Sequence, residues 1–377
     1  NDSSNVSINN KGKITTTGHN SAALIAQSIG GGGGSGAINW KLTDDRDGYD
    51  STPAFLLGAV DTTLGSSGNI TVKNQSNLTT TGLGSPALLL QSIGGGGGAI
   101  QALNDAYTGN IQFGHESQSV NATSKLSAGS INFTTTNSSL ISTSGARSAA
   151  AILQSIGGGG GWALVNSRTS AILGLESDVS KYFSGTATGG PITANVSGIL
   201  QTTGDNSPAF VVQTIGGGGG FAGNATTNGL LGAYINAASV GITGSSNLPM
   251  PIACRFGSCE IQPVEQAVLA DIEGDLITKG STSPVMLVQA IGGGGGRLGT
   301  VGGNATLGLS SLGVSNGDGG AIRVVSNAGA SLTSIGNDSA ALVIQSIGGG
   351  GGSVNSIGGN ATLGGSGTGS FKAGAIT

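Results

Sequence analysis

Charge is what this chain has least of. Only 8% of its 377 residues are Asp, Glu, Lys or Arg, where an ordinary soluble domain has about 25%. The net charge of −4 steers weakly, and no stretch is basic enough to hold a phosphate backbone, so nucleic acid is excluded as a partner. Long hydrophobic runs are missing too. No apolar stretch reaches the roughly 18 residues that a membrane-spanning helix needs, and no signal peptide is present. Cysteine is nearly absent. The two present, Cys254 and Cys259, have four residues between them. They lack the Cys-x-x-Cys spacing of a redox pair, and two thiols alone make a poor zinc site. In an extracellular chain they would join as a small-loop disulfide.

Glycine is what the chain has instead, at 74 residues. No Gly-X-Y period accompanies it, which excludes collagen. The 37% hydrophobic content argues against disorder. Ser, Thr and Asn supply most of the polarity, a profile that suits a β-rich extracellular surface. Asn1 is not a natural start, and the chain opens inside a repeat. It therefore reads as a segment of something longer, and the missing targeting signals say little about location.

Six glutamines set the period: Gln27, Gln91, Gln154, Gln213, Gln289 and Gln345. They lie 64, 63, 59, 76 and 56 residues apart. Each is followed by Ser, Thr or Ala, then Ile, then five glycines, at 30–34, 94–98, 157–161, 216–220, 292–296 and 348–352. A fixed period of this kind marks a repeat architecture. The whole chain, 1–377, reads as one array of six repeats with inserts at 35–68, 99–128, 162–188, 221–262, 297–319 and 353–377.

Each repeat holds three expected strands. The first alternates apolar and polar residues, as in Asn69 to Val72 and Ala321 to Val324, which marks a half-buried strand. The second runs from Leu78 to Gly82, with counterparts ending at Gly18, Gly204 and Gly336. Four places before the glycine stands Ile or Leu. Two places before it stands Thr16, Thr80, Thr143, Thr202, Thr278 or Ser334. Residues two apart share a face, so an aliphatic ladder should run beside a hydroxyl ladder, both facing inward. The third strand, Pro86 to Ile93 and its copies, is apolar on both faces, which implies burial on both sides and hints at lateral packing between chains. Its glutamines should stack as a ladder of amides, each finding its partner in the next layer.

The expected fold is therefore all-β: a β-solenoid like a parallel β-helix. The glycine runs should lie extended against neighbouring chain in a polyproline-II-like conformation. The period leaves open whether one repeat makes one coil or several.

The glycines are followed by Ser35, Ala99, Trp162, Phe221, Arg297 and Ser353. No Lys-Ser/Thr and no helix signal follows, so a phosphate cradle is not supported. In the first insert, Asp45, Asp47 and Asp50 around Gly48 could donate carboxylates to calcium; the blander reading is a solvated acidic turn. The fourth insert carries the cysteines and reads as a projecting knob. The last two share Gly-Gly-Asn-Ala-Thr-Leu-Gly at 302–308 and 358–364, and the fourth has the related Asn224-Ala225-Thr226. These read as an extra short strand in each unit.

Gly320 to Val324, Leu332 to Gly336 and Ser339 to Gly352 together resemble the passenger repeats of large Gram-negative autotransporters, whose arrays end in Gln-Ser-Ile and five glycines. The resemblance covers all six units; the acidic turn and the cysteine knob depart from it. It implies a surface protein exported by type V secretion, a long β-solenoid tethered by an outer-membrane barrel outside this chain. It also implies an adhesive, self-associating or fibre-forming role with no shared catalytic residues.

The leading expectation is a structural or adhesive fibre segment that contacts neighbouring copies and an extracellular ligand, with no cofactor beyond calcium at the acidic turn. A polysaccharide-active β-helix enzyme would need paired carboxylates. The acids outside the first insert (Glu116, Glu176, Asp178, Glu260, Glu265, Asp271, Glu273, Asp275) look scattered, and none recurs in the repeat. An ice-binding face of outward Thr15, Thr17, Thr79 and Thr81 is interrupted at Lys279 and Ile335. A phage tail-fibre tip would set its glycine runs around a variable receptor site.

Overall fold

In the computed structural model the described residues are 2–38, 55–57, 65–102, 111–113, 116–117, 125–167, 171–173, 176–177, 186–225, 229–231, 236–237, 266–308, 317–364 and 372–377. Every strand pairing among them is parallel, and each strand pairs with its counterpart one repeat away. One repeat therefore makes one coil. Among the described residues there is no helix, and so none that could cross a membrane.

Five six-stranded sheets run along the stack. Sheet I contains Val6–Asn10, Ile70–Asn74, Ile131–Thr135, Ile192–Val196, Val268–Ile272 and Ile322–Ser326. Sheet II contains Ile14–Thr16, Leu78–Thr80, Leu140–Thr143, Ile199–Thr202, Leu276–Thr278 and Leu332–Ser334. Sheet III contains Leu24–Ile29, Leu88–Ile93, Ala151–Ile156, Phe210–Ile215, Met286–Ile291 and Leu342–Ile347. Sheet IV begins inside the glycine runs, at Gly33–Ile38, Gly97–Ala102, Gly160–Ser167, Gly219–Ala225, Gly295–Val301 and Gly351–Ile357. Sheet V lies in the inserts, at Phe55–Leu57, Ile111–Phe113, Ala171–Leu173, Gly229–Leu231, Ala305–Leu307 and Ala361–Leu363. The chain also begins a further turn, where Ile376 pairs with Ile322.

Sheets I, II and III enclose the main core. Alternation puts Ile70 and Val72 inside and leaves Thr71 and Lys73 in solvent. Leu78 faces the same core from sheet II, and Leu88 and Leu90 from sheet III. Across it the rings of Phe133 and Phe210 meet, with centroids 6.4 Å apart. The other face of sheet III, through Leu89, Ile152, Val211 and Leu287, packs on Ala99, Trp162 and Phe221 of sheet IV. The two-sided burial is thus satisfied within one chain. The lateral packing between chains that this burial suggested is not needed to explain it.

The glycine runs make the fold-back from sheet III to sheet IV. Their first residues turn the corner, and the last two start the new strand. At those last two positions φ lies between 129° and 150° in all six coils, for example 129° at Gly160 and 150° at Gly34. This is extended backbone in the mirror-image region, not the polyproline-II region near −75° that the sequence suggested. The reason is geometric. In that region an L side chain would lie in the plane of the sheet, aimed at the neighbouring strand. A Cβ on Gly97 would sit 2.1 Å from the carbonyl oxygen of Gly160, and one on Gly161 would sit 1.9 Å from that of Gly98. Only glycine lets the coils close to hydrogen-bonding distance, with Gly97 N–H to Gly32 O at 3.1 Å and Gly219 N–H to Gly159 O at 3.0 Å.

An internal control separates strain from crowding. Gly34 has φ 150° like its counterparts, yet a Cβ there meets nothing within 4 Å. Gly34→Ala should cost about 1–2 kcal/mol from backbone strain alone. Gly161→Ala should cost about 3 kcal/mol or more, since the next coil must also shift, while Gly12→Ala, where a Cβ also meets nothing, should be near neutral. Urea denaturation of the three variants would check this order, and equal losses at Gly34 and Gly161 would contradict it.

Candidate functional site

The chemistry that recurs in every coil sits at the junction of sheets III and IV. The carboxamide of each of the first five glutamines donates one proton to the glutamine of the next coil. The distances are 2.7 Å from Gln27 to Gln91, 2.8 Å from Gln91 to Gln154, and 2.7 Å for Gln154 to Gln213, Gln213 to Gln289 and Gln289 to Gln345. Its second proton goes to the carbonyl of the fifth glycine of its own run, as in Gln91 to Gly98 at 3.0 Å and Gln154 to Gly161 at 3.1 Å. Gln91, Gln154, Gln213 and Gln289 have no exposed surface. Each amide therefore does two things: it joins successive coils, and it fixes the end of the glycine turn against the strand that precedes it. Beside it runs a column of isoleucines, Ile29, Ile93, Ile156, Ile215, Ile291 and Ile347.

Sheet II ends in a second device. Thr80, Thr143, Thr202 and Thr278 are buried, as placed from the sequence, and Thr16 is half-buried. Their hydroxyls do not form a ladder with one another. Thr16, Thr80, Thr143 and Thr202 each donate to the carbonyl of the serine five residues on, and so close the turn within one coil. Thr278 is different: its hydroxyl lies 3.5 Å from that of Ser334. The bonds between coils here come from the serine that ends the turn. Ser85 Oγ accepts from Ser21 N at 2.9 Å and donates to Gly18 O at 3.0 Å, both in the preceding coil. Ser148, Ser207, Ser283 and Ser339 do the same. The residue before this serine is left-handed in every coil: Asn20, Gly84, Arg147, Asn206, Thr282 and Asp338, with φ from 53° to 63°. This serine column was legible as Gly-x-x-Ser in all six repeats, but the sequence reading stopped at the glycine.

A third column follows the glutamines. Ser92 Oγ donates to Gly68 O at 3.0 Å and accepts from Gly129 N at 2.7 Å. Ser28, Ser155 and Ser346 bond in the same way, and Thr214 donates to Gly190 O at 2.8 Å. The fifth coil breaks the pattern. Ala290 brings no hydroxyl, and Gln266 stands where four other coils have glycine.

Sheet IV carries a column of unlike residues directly after the glycines. Ala99, Trp162, Phe221, Arg297 and Ser353 are in register. The rings of Trp162 and Phe221 stack at 4.0 Å, and the Arg297 guanidinium lies 5.9 Å from the Phe221 centroid.

Several sequence expectations meet a different structure. In the fourth insert the strand that pairs with Ala305–Leu307 is Gly229–Leu231. The Asn224-Ala225-Thr226 likeness misleads, because Asn224 and Ala225 close the sheet IV strand and pair with Asn166 and Ser167. The acids are not all unrelated either. Glu116–Ser117 and Glu176–Ser177 pair in parallel with Glu116 opposite Glu176, and both follow a Gly-x-Glu-Ser frame. Asp271, Glu273 and Asp275 accept bonds from neighbouring coils, from Asn327, Ser197 and Ser331. Asp45, Asp47, Asp50, Cys254 and Cys259 lie outside the described residues. Among the described residues no group of three or more His, Cys, Asp or Glu is placed to hold a metal ion.

Comparison with family models, characterised proteins and solved structures returns no match for this chain.

Two substitutions test the ladders. Gln154→Leu strands the Gln91 amide proton, the Gln213 carbonyl oxygen and the Gly161 carbonyl. It should cost about 3 kcal/mol or more, with amide exchange speeding most in the glycine runs of the adjacent coils. Ala290→Ser supplies the missing hydroxyl and should stabilise by about 1 kcal/mol, read as a higher denaturation midpoint.

Proposed function

We propose that this chain is a structural and adhesive segment of a bacterial surface or extracellular fibre, working by coil stacking and surface contact and not by catalysis. The observation that carries the reading is where the repeated residues lie. The glutamines, the turn serines and the paired glycines all bond coil to coil and are mostly buried. The exposed position after each sheet II strand varies instead: Thr17, Thr81, Ser144, Thr203, Lys279 and Ile335. What repeats maintains the rod, and what faces solvent is free to differ. In a solenoid each coil needs its neighbours, so length is gained by adding coils. That suits a stalk that must hold a contact surface away from a cell.

The likeness to autotransporter passenger repeats supports a Gram-negative outer surface, with an outer-membrane barrel elsewhere in the protein. Neighbouring copies and an extracellular surface are the partners this reading assigns. The direct test is to fuse the chain to an outer-membrane barrel and display it on Gram-negative cells. Protease-resistant surface display, with faster cell sedimentation or attachment than the barrel alone confers, is the expected result. Display without any change in sedimentation or attachment would contradict the adhesive role, and release of sugar fragments from surface polysaccharide would favour an enzyme.

A further inference from the structure

Arg297 is an unusual residue for the inside of this solenoid. It occupies the sheet IV column that holds Trp162 and Phe221 in earlier coils, and it is 7% exposed. A buried cation is normally paired with an anionic group, because desolvation without compensation is expensive. Arg297 has no such partner among the described residues. One guanidinium nitrogen donates to Asn355 Oδ1 at 2.8 Å, and the Phe221 ring lies on one side. Its Nε–H has no hydrogen-bond partner. Directly opposite in the next coil stands Ser353, whose buried hydroxyl has none either. Two unmet polar groups thus occur in one register pair, beside a full positive charge. Burial pulls the guanidinium down from its usual value to about 10, the direction expected where no anion compensates it.

We infer that Arg297 and Ser353 form a binding site for a small monovalent anion, held by the Arg297 Nε–H and the Ser353 hydroxyl between the fifth and sixth coils. The class follows from the donors. A single positive charge neutralises one negative charge and no more, and two donors in a register pair of a closely stacked column suit a compact ion. Neither carboxylate nor phosphate is favoured, since each presents more acceptor atoms than the pair can satisfy. Asn355, which accepts from another guanidinium nitrogen, is exposed, so one end of the Arg297 side chain lies close to solvent. The bound ion would tie the fifth coil to the sixth, the same pair of coils between which Ala290 has removed a hydroxyl contact. The inference does not depend on the adhesive reading, since it concerns coil stability alone.

The test is thermal unfolding of the whole chain in sodium gluconate, whose anion is too large for the site, with chloride substituted at constant ionic strength. Wild type should show a saturable rise of at least about 2 °C. Arg297→Met should be at least as stable as wild type in gluconate, since the buried charge is gone, and should show no chloride response. Equal responses in the two proteins, or no response in wild type, would overturn the site. Should Arg297→Met fail to fold, Ser353→Ala decides. Loss of one donor should move the chloride midpoint about three- to tenfold higher, and an unchanged midpoint would overturn the assignment.

Discussion

The hydrogen bond from each buried glutamine to the next is the interaction on which the rest of the molecule depends. A primary amide has two donor protons and an accepting oxygen, and in this stack all three are used. One proton goes forward, the oxygen receives from behind, and the second proton pins the carbonyl of the fifth glycine. No other uncharged side chain of this length offers that set. Serine or threonine has a single proton to donate and could not serve both the next coil and the glycine carbonyl, and glutamate would place like charges in a buried column. The ladder also explains why glutamine and the glycines always occur together. The fold-back brings sheet IV over the outer face of sheet III, and the amide locks that fold-back in the first five coils.

The glycines look costly by composition and are not so in place. Ordering five of them costs about 2.5–5 kcal/mol per coil relative to alanine. Each fold-back buries a second face of sheet III, and every aliphatic side chain so covered contributes about 1.5–3 kcal/mol. Two or three of them offset the run. Alanine is no cheaper alternative, because in the inner coils a Cβ on either of the last two glycines would enter the neighbouring coil. The positive φ at those residues and the closeness of the coils are therefore one requirement. Arg297 fits the same picture as an exception, since it puts a charge in a column built for apolar packing.

Much of this was legible in the sequence, because a parallel solenoid writes each stacking residue once per coil, six times here. Gln91, Thr80 and Leu78 could be placed from their recurrence and from a period of two. What was missed lacked either signal. The second face of sheet III was clearly apolar, but periodicity does not say whether a neighbouring chain or the same chain covers it. The mirror-image backbone of Gly160 and Gly161 carries no side chain from which to read it. Sheet V strands are three residues long and share little beyond a Leu or Phe before glycine, so the Asn224 motif drew attention to the wrong segment. The Ser85 column recurred perfectly and was passed over because serine is common throughout the chain.

The central claim is that one repeat is one coil, with glycine runs bonded in register and glutamine amides stacked beside them. A high-resolution cryo-EM or crystallographic map that resolves Gly97, Gly160 and Gly219 tests it most directly. The account predicts successive runs at the strand spacing of about 4.8 Å, with continuous density between the side chains of Gln91, Gln154 and Gln213. Runs separated by roughly 10–14 Å, two or three strand spacings, would mean several coils per repeat and would contradict it.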